Sequence, residues 1–239
     1  MARGVPFPVS TMSQATLSGH YHNSNLFTNH YLDERLPDRE VWDCDEEAVS
    51  AFEDLQELFE LEESILEGKN EDSLVDDWIA EVLEILGYGT QTEVALPESG
   101  GFVDVLGFDT PERRREAARV ALETGDTVDL FESAVTLVEA KQWDVDFDVR
   151  FSEQRQYHNA AQQVRYYLDK TPASIEWAVL TNGRKWRLYE ARTYGSGEVY
   201  YEVDLARTRR TRRPGRVQIL LSVLSSGRAP SGRRRNVPR

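Results

Sequence analysis

Residues 133–141, SAVTLVEAK, restrict the fold of this chain more than any other stretch. The run is apolar, rich in β-branched residues and too short for a helix of ordinary length, so it reads as a buried strand. It ends in a carboxylate, a small residue and an ammonium. Alternate side chains of a strand share a face, so Glu139 and Lys141 point the same way on either side of Ala140. Such a pair is either the solvated end of a strand leaving the core or a piece of chemistry, and Glu-x-Lys alone is a common pattern.

The segments around it alternate in period. The stretch 45–65 carries Val49, Phe52, Leu55, Leu58, Phe59 and Ile65 near helical spacing, with Gly68 as its stop. A second helix is expected to start near Asp72 or Ser73, with Leu74, Val75, Trp78, Ile79, Val82 and Ile85 as its stripe and Gly87 after its end. TQTEVAL and FVDVLGF follow as strands around the turn PESGG. Thr110 as N-cap, Pro111 at the first position and Gly125 past the end frame a helix over 111–124. After the strand 133–141 comes a helix in HNAAQQVRYYLDK, with Val164, Tyr167 and Leu168 inward. SIEWAVLT and KWRLYEAR are strands joined through Asn182-Gly183, a type I′ hairpin signal, and GEVYYEVDL closes the sheet. The order α-β-β-(α)-β-α-β-β-β predicts an α/β protein with a mixed sheet between helices.

Length and charge divide the chain. Its 239 residues suffice for one sizeable core and appendages. Residues 1–25 read as a disordered leader and 26–70 as an arm plus helix, with Leu26, Phe27, Tyr31, Leu32, Leu36 and Trp42 packing on the domain. Residues 71–206 read as the main domain. No run of about 18 apolar residues occurs, so no membrane span is expected, and the leader lacks the apolar core of a signal peptide. With one cysteine, Cys44, there is neither an internal disulfide nor a CxxC zinc pair, and a cytoplasmic location is the simplest expectation. Four lysines stand against 24 arginines, and the formal charge is -14. Acid in excess with scarce lysine resembles proteins of salt-loving cytoplasms. There the Debye length falls to about 3 Å at molar salt, so a negative surface does not exclude nucleic acid. From Arg207 on there are 11 arginines and no acids. Residues 207–239 read either as a basic tail that grips nucleic acid or as an out-of-frame product. One choice of permitted codons for 217–229, read from the second nucleotide, gives an aromatic run.

A second acid gives the Glu-x-Lys pattern its context. Asp104 sits inside the apolar strand FVDVLGF, and a buried carboxylate costs several kcal/mol unless paired or metal-bound. Asp104 and Glu139 converging from adjacent strands would make a hard-oxygen site for Mg²⁺, with Lys141 placing a water. These residues resemble the PD-(D/E)xK nuclease superfamily. Asp104 matches the acid of its PD motif with Val103 in the place of the proline, and Glu139 and Lys141 match E-x-K. The element order matches the family core, α-β-β-β-α-β. QVRYY, Gln163 to Tyr167, resembles the Q-h-x-x-Y motif of the RecB-like branch, which implies that Gln163 and Tyr167 stand near the site. An ordinary amphipathic helix accounts for the same residues.

A closer resemblance covers residues 26–206. NLFTNHYLDERLPDREVW, VDVLGFDTPERRREA, VEAKQWD, QVRYYL and LTNGRKWRLYEA occur in the order found in the N-terminal nuclease region of fused type IIG restriction–modification enzymes. The resemblance implies a restriction-endonuclease-like sheet, a Mg²⁺-dependent endonuclease and double-stranded DNA as partner. It implies S-adenosylmethionine only for a full-length fused enzyme, with no site for it in this chain. The alternative is a catalytically inactive remnant that binds DNA or a protein partner.

Asp104 precedes Glu139 by 35 positions and Asp129 by only 10, so Asp129 is a rival ligand. The family's helix glutamate falls to Glu81, with Glu71 as the alternative. Trp143 walls the site or, as more strand-end aromatics do, packs. His158 reads as polarity flanking a helix. Arg113, Arg114, Arg115 and Arg119 either touch phosphate or pair with neighbouring acids.

Overall fold

A computed structural model describes residues 21–28, 30–35, 45–97, 101–152, 154–193 and 199–208. Its strands are β1 (Tyr21–Ser24), β2 (Gly89–Ala95), β3 (Phe102–Phe108), β4 (Thr136–Ala140), β5 (Trp177–Thr181), β6 (Lys185–Glu190) and β7 (Tyr200–Asp204). They form one seven-stranded sheet in the order β1-β7-β6-β5-β4-β3-β2. Only β4 and β5 run parallel; every other neighbouring pair is antiparallel. A parallel pair needs a crossover, and here the helix α6 (Ala160–Lys170) lies on it. The protein is therefore an α/β protein with a mixed sheet flanked by helices.

Helices cover both faces. On one lie α1 (Asp45–Glu62), the short α2 (Glu71–Leu74) and α3 (Ala80–Ile85), the last two joined through a π-helical turn at Val75–Ile79. Phe59, Leu74, Trp78 and Ile79 pack there with Val105, Val138 and Trp186 of the sheet. On the other lie α4 (Pro111–Thr124), α5 (Val128–Ser133) and α6, where Phe131, Val164 and Leu168 meet Leu106, Phe108, Leu137 and Leu180. Every residue of β4 is buried. Two covered faces explain why its sequence is continuously apolar rather than alternating. A fully buried Leu or Val contributes about 1.5–3 kcal/mol, so β4 anchors both layers. No helix among the described residues is long and apolar enough to cross a membrane.

Local signals account for most element ends. Thr110 caps α4 by accepting the Arg113 N–H at 3.1 Å, and Gly125 ends it at φ 71. The second helix starts earlier than the apolar stripe suggests. Asn70 is its N-cap, its Oδ1 accepting the Ser73 N–H at 2.8 Å, so Glu71 is helical. The π turn that follows widens the stripe, so Leu83 and Leu86 join the core while Ile85 is only partly buried. Val49 on α1 and Ile65, beyond its end at Glu62, are exposed. α5, over the TVDLF stretch, was not expected as a helix.

Three further expectations need correction. Tyr21–Ser24, inside the expected leader, form β1, and this strand rather than β7 closes the sheet edge. The hairpin 182–184 is not type I′: Gly183 has φ 78, but Asn182 does not have positive φ. Asn182 instead turns the chain with its side chain, Oδ1 accepting the Arg184 and Lys185 N–H groups at 3.1 and 2.7 Å. The arm does pack as expected where it is described, with Phe27 against Trp177 and Tyr201. Leu36, Trp42, residues 1–20 and the tail from 209 lie outside the described residues.

Candidate active site

The β3–β4 ladder pairs Gly107 with Thr136, Leu106 with Leu137 and Val105 with Val138. One step further, the same register sets Asp104 opposite Glu139, and opposed residues of antiparallel strands share a face. There the main-chain pairing ends. The Ala140 N–H, which points toward β3, is taken by the Asp104 carboxylate at 2.6 Å instead of by a carbonyl. The Lys141 N–H on the other side of the strand still bonds the Thr181 carbonyl at 2.8 Å, so β4 stays in the sheet as it delivers its last side chains.

Lys141 folds back over the strand end. Its ammonium lies 2.7 Å from Glu139 Oε1, 2.5 Å from the Ala140 carbonyl and 3.7 Å from Glu71 Oε1. The Glu139 side chain is almost wholly buried and its Oε2 has no hydrogen-bond partner. An orphaned carboxylate oxygen costs about 1–3 kcal/mol or more, so this atom is set for a proton or a ligand.

The electrostatics follow from burial. Burial pushes the Glu139 carboxyl up to about 8, against the pull of Lys141 and with the help of the Asp104 charge. The 2.7 Å ion pair pulls the other way, but the loss of hydration is larger, as expected for a charge with little water. Burial raises Asp104 as well, opposed by the Ala140 N–H and Lys141. For Lys141 burial alone would lower the pKa, and Glu139, Glu71 and Asp104 together hold it above its usual value.

α6 closes the site from the second layer. Gln163 and Tyr167 are both buried, and Gln163 Nε2 donates to the Tyr167 hydroxyl at 3.1 Å. Burial and then the charge of Glu139 raise the Tyr167 phenol, so its hydroxyl lies within the field of that carboxyl. Gln163 Oε1 is a second buried oxygen without a partner. From the first layer comes Glu71, at the start of α2. A cleft of about 150 Å³ opens against Asp104, lined by Asp72, Val75, Asp76, Thr92 and Glu93. Glu93 lies across from Asp104 in the β2–β3 register and has φ 51, an uncommon backbone for glutamate.

Asp104, Glu139, Lys141, Gln163 and Tyr167 thus gather at one end of β3 and β4. Glu81 does not join them: it is exposed on α3, and Glu71 is the helix glutamate that reaches Lys141. The N-cap Asn70 was the missed signal, because it moves the helix start to the acid facing the site. Asp129 is on α5, where its carboxylate accepts from Thr124 at 3.4 Å and does not join the bonds around Glu139 and Lys141. The Ala140 carbonyl, a main-chain oxygen, had no sequence signature.

Trp143 packs edge-on against Trp78 at 6.4 Å and is structural. The His158 N–H bonds Gln162 Oε1 at 3.0 Å, as helix-flank polarity. Arg115 and Arg119 pair with Glu112, Glu116 and Glu123 along their own helix.

The donor set fits a hard divalent cation in part. Two carboxylates and a carbonyl suit Mg²⁺, which keeps several waters and needs only one or two carboxylates, and Glu139 Oε2 is free to serve. Among the described residues no group of three or more His, Cys, Asp or Glu is placed to hold a metal ion. No protein-family model, curated protein or solved structure matches this chain.

Proposed function

We propose that the chain is a Mg²⁺-dependent DNA endonuclease module of the PD-(D/E)xK type, related to the nuclease part of type IIG restriction–modification enzymes. The observation that carries this reading is the meeting of Asp104, Glu139 and Lys141 at one strand end, with a buried oxygen of Glu139 left unpartnered. The order α3-β2-β3-(α4-α5)-β4-α6-β5, with β3 antiparallel to β4 and β4 parallel to β5, supports a restriction-endonuclease-like core with two helices inserted after β3.

Asp104 and Glu139 would hold the ion, with the Ala140 carbonyl as a neutral third oxygen. The bound ion would polarise a phosphodiester and make its water more acidic. Lys141 holds a proton-rich, positive group beside that position and would orient the attacking water and balance charge on the phosphate. Tyr167 and Gln163, both buried, wall the site on the α6 side and would help place DNA only through the groups they position. The acids of the cleft repel phosphate at low salt, so activity is expected to need high ionic strength.

Incubating the purified chain with supercoiled plasmid, Mg²⁺ and molar KCl tests the reading. Cleavage by the wild type, lost in Lys141→Met and in Glu139→Gln, is expected. Cleavage that persists in both variants overturns the assignment. Binding of Mg²⁺ and DNA without any cleavage identifies the inactive remnant instead.

A further inference from the structure

The three oxygens around the Lys141 ammonium form the kind of cage a hard cation takes. They are a carboxylate oxygen of Glu139 at 2.7 Å, the Ala140 carbonyl at 2.5 Å and a carboxylate oxygen of Glu71 at 3.7 Å. Lysine presents a compact point charge on a flexible stem, so it can fill such a cage and also leave it. A divalent ion on Glu139 and the Ala140 carbonyl could not share the space with it. Like charges a few ångströms apart repel strongly where water is scarce, and the Lys141 side chain is only 12% exposed.

A second observation is independent of the ion pair. Glu139 Oε2, on the same carboxyl, is buried and makes no hydrogen bond. Lys141 therefore satisfies only half of the carboxyl, and an ion that takes both Glu139 oxygens must displace its ammonium from Oε1.

We propose that Lys141 is a built-in competitor for the cation: its ammonium fills the place a divalent ion takes, and binding of the ion drives the side chain out of the cage. The inference rests on the cation-site reading above and adds a coupling to it. Lys141 is tied up until the ion binds, and only then is its ammonium presented to a phosphate or water. Glu71 is the partly exposed member of the cage, so it can follow the lysine outward while Glu139 stays.

Lysine acylation measures this directly. The chain has four lysines, so Lys69, Lys170 and Lys185 serve as internal references for Lys141. The full chain is treated briefly with an N-hydroxysuccinimide ester, with and without Mg²⁺, and labelling at each lysine is read by mass spectrometry. Calorimetry on the same sample reports whether Mg²⁺ binds. The expected result is a severalfold rise at Lys141 alone when Mg²⁺ binds, because the ammonium leaves a place where its side chain is only 12% exposed. Mg²⁺ binding with Lys141 labelling unchanged or reduced overturns the competitor and leaves the cation site standing. Absence of Mg²⁺ binding overturns both. Lys141→Met is expected to bind Mg²⁺ more tightly than the wild type, and weaker binding by this variant also overturns the inference.

Discussion

The main-chain N–H of Ala140 is bonded to the side chain of Asp104 at 2.6 Å, one step past the last main-chain pair between β3 and β4. One carboxylate thus completes the sheet and stands at the candidate metal position. The two roles separate on substitution. Asp104→Asn keeps an oxygen for the Ala140 N–H and removes the charge, so it is expected to unfold in urea near the wild-type midpoint while cleaving no DNA. Asp104→Ala leaves a buried donor unpaired and is expected to lose about 1–3 kcal/mol in the same measurement.

The raised Glu139 carboxyl makes stability depend on pH. An unfolded glutamic acid ionises near 4.5, whereas Glu139 in the fold keeps its proton to about 8. Between these values the folded state binds one more proton than the unfolded state. The contribution is full below about 4.5 and is lost as pH rises through 8, at up to about 1.4 kcal/mol per pH unit. Melting temperatures compared from pH 5 to 8 should fall more steeply in the wild type than in Glu139→Gln. Because an ion must displace that proton, stabilisation by Mg²⁺ should grow over the same range. A Mg²⁺ effect independent of pH contradicts this account.

Gly183 joins three tryptophans. Its carbonyl accepts the indole N–H of Trp78 at 2.8 Å and of Trp186 at 3.2 Å, and a Cβ there would lie 2.7 Å from Trp143. With φ 78 as well, Gly183→Ala combines backbone strain with a clash. A loss of about 2 kcal/mol or more in chemical denaturation is expected, with the near-ultraviolet circular dichroism of the tryptophans reduced.

Arg187 is a buried cation held by Glu202 at 2.9 Å and Asp148 at 3.1 Å, with its guanidinium over Tyr200 and Phe147. A planar fork and a stacking face are both used, so lysine is a poor substitute. Arg187→Ala, which strands Glu202, is expected to cost about 3–5 kcal/mol. Arg187→Lys should recover less than half of that in the same denaturation assay.

Much of the architecture was legible in residue order. FVDVLGF is β3 residue for residue, and Thr110, Pro111 and Gly125 frame α4 as their chemistry requires. These succeed because caps, strand alternation and breakers act over a few residues. β1 was not legible, because four residues such as YHNS become a strand only by meeting β7. Glu81 and Glu71 could not be ranked for a similar reason: the Asn70 cap and the π turn at Val75–Ile79 set which helical residue faces the sheet end.

The sequence by itself determined that a buried strand would end in Glu139 and Lys141 on one face, since that follows from the two-residue repeat of any strand. Only the tertiary structure decided what meets them. It brought Asp104 from 35 residues away and Glu71 from 70 positions before Lys141, kept Asp129 elsewhere, and left one oxygen of Glu139 unpaired. Those outcomes depend on sheet register, helix start and burial, which arise from contacts between distant segments and not from local preference.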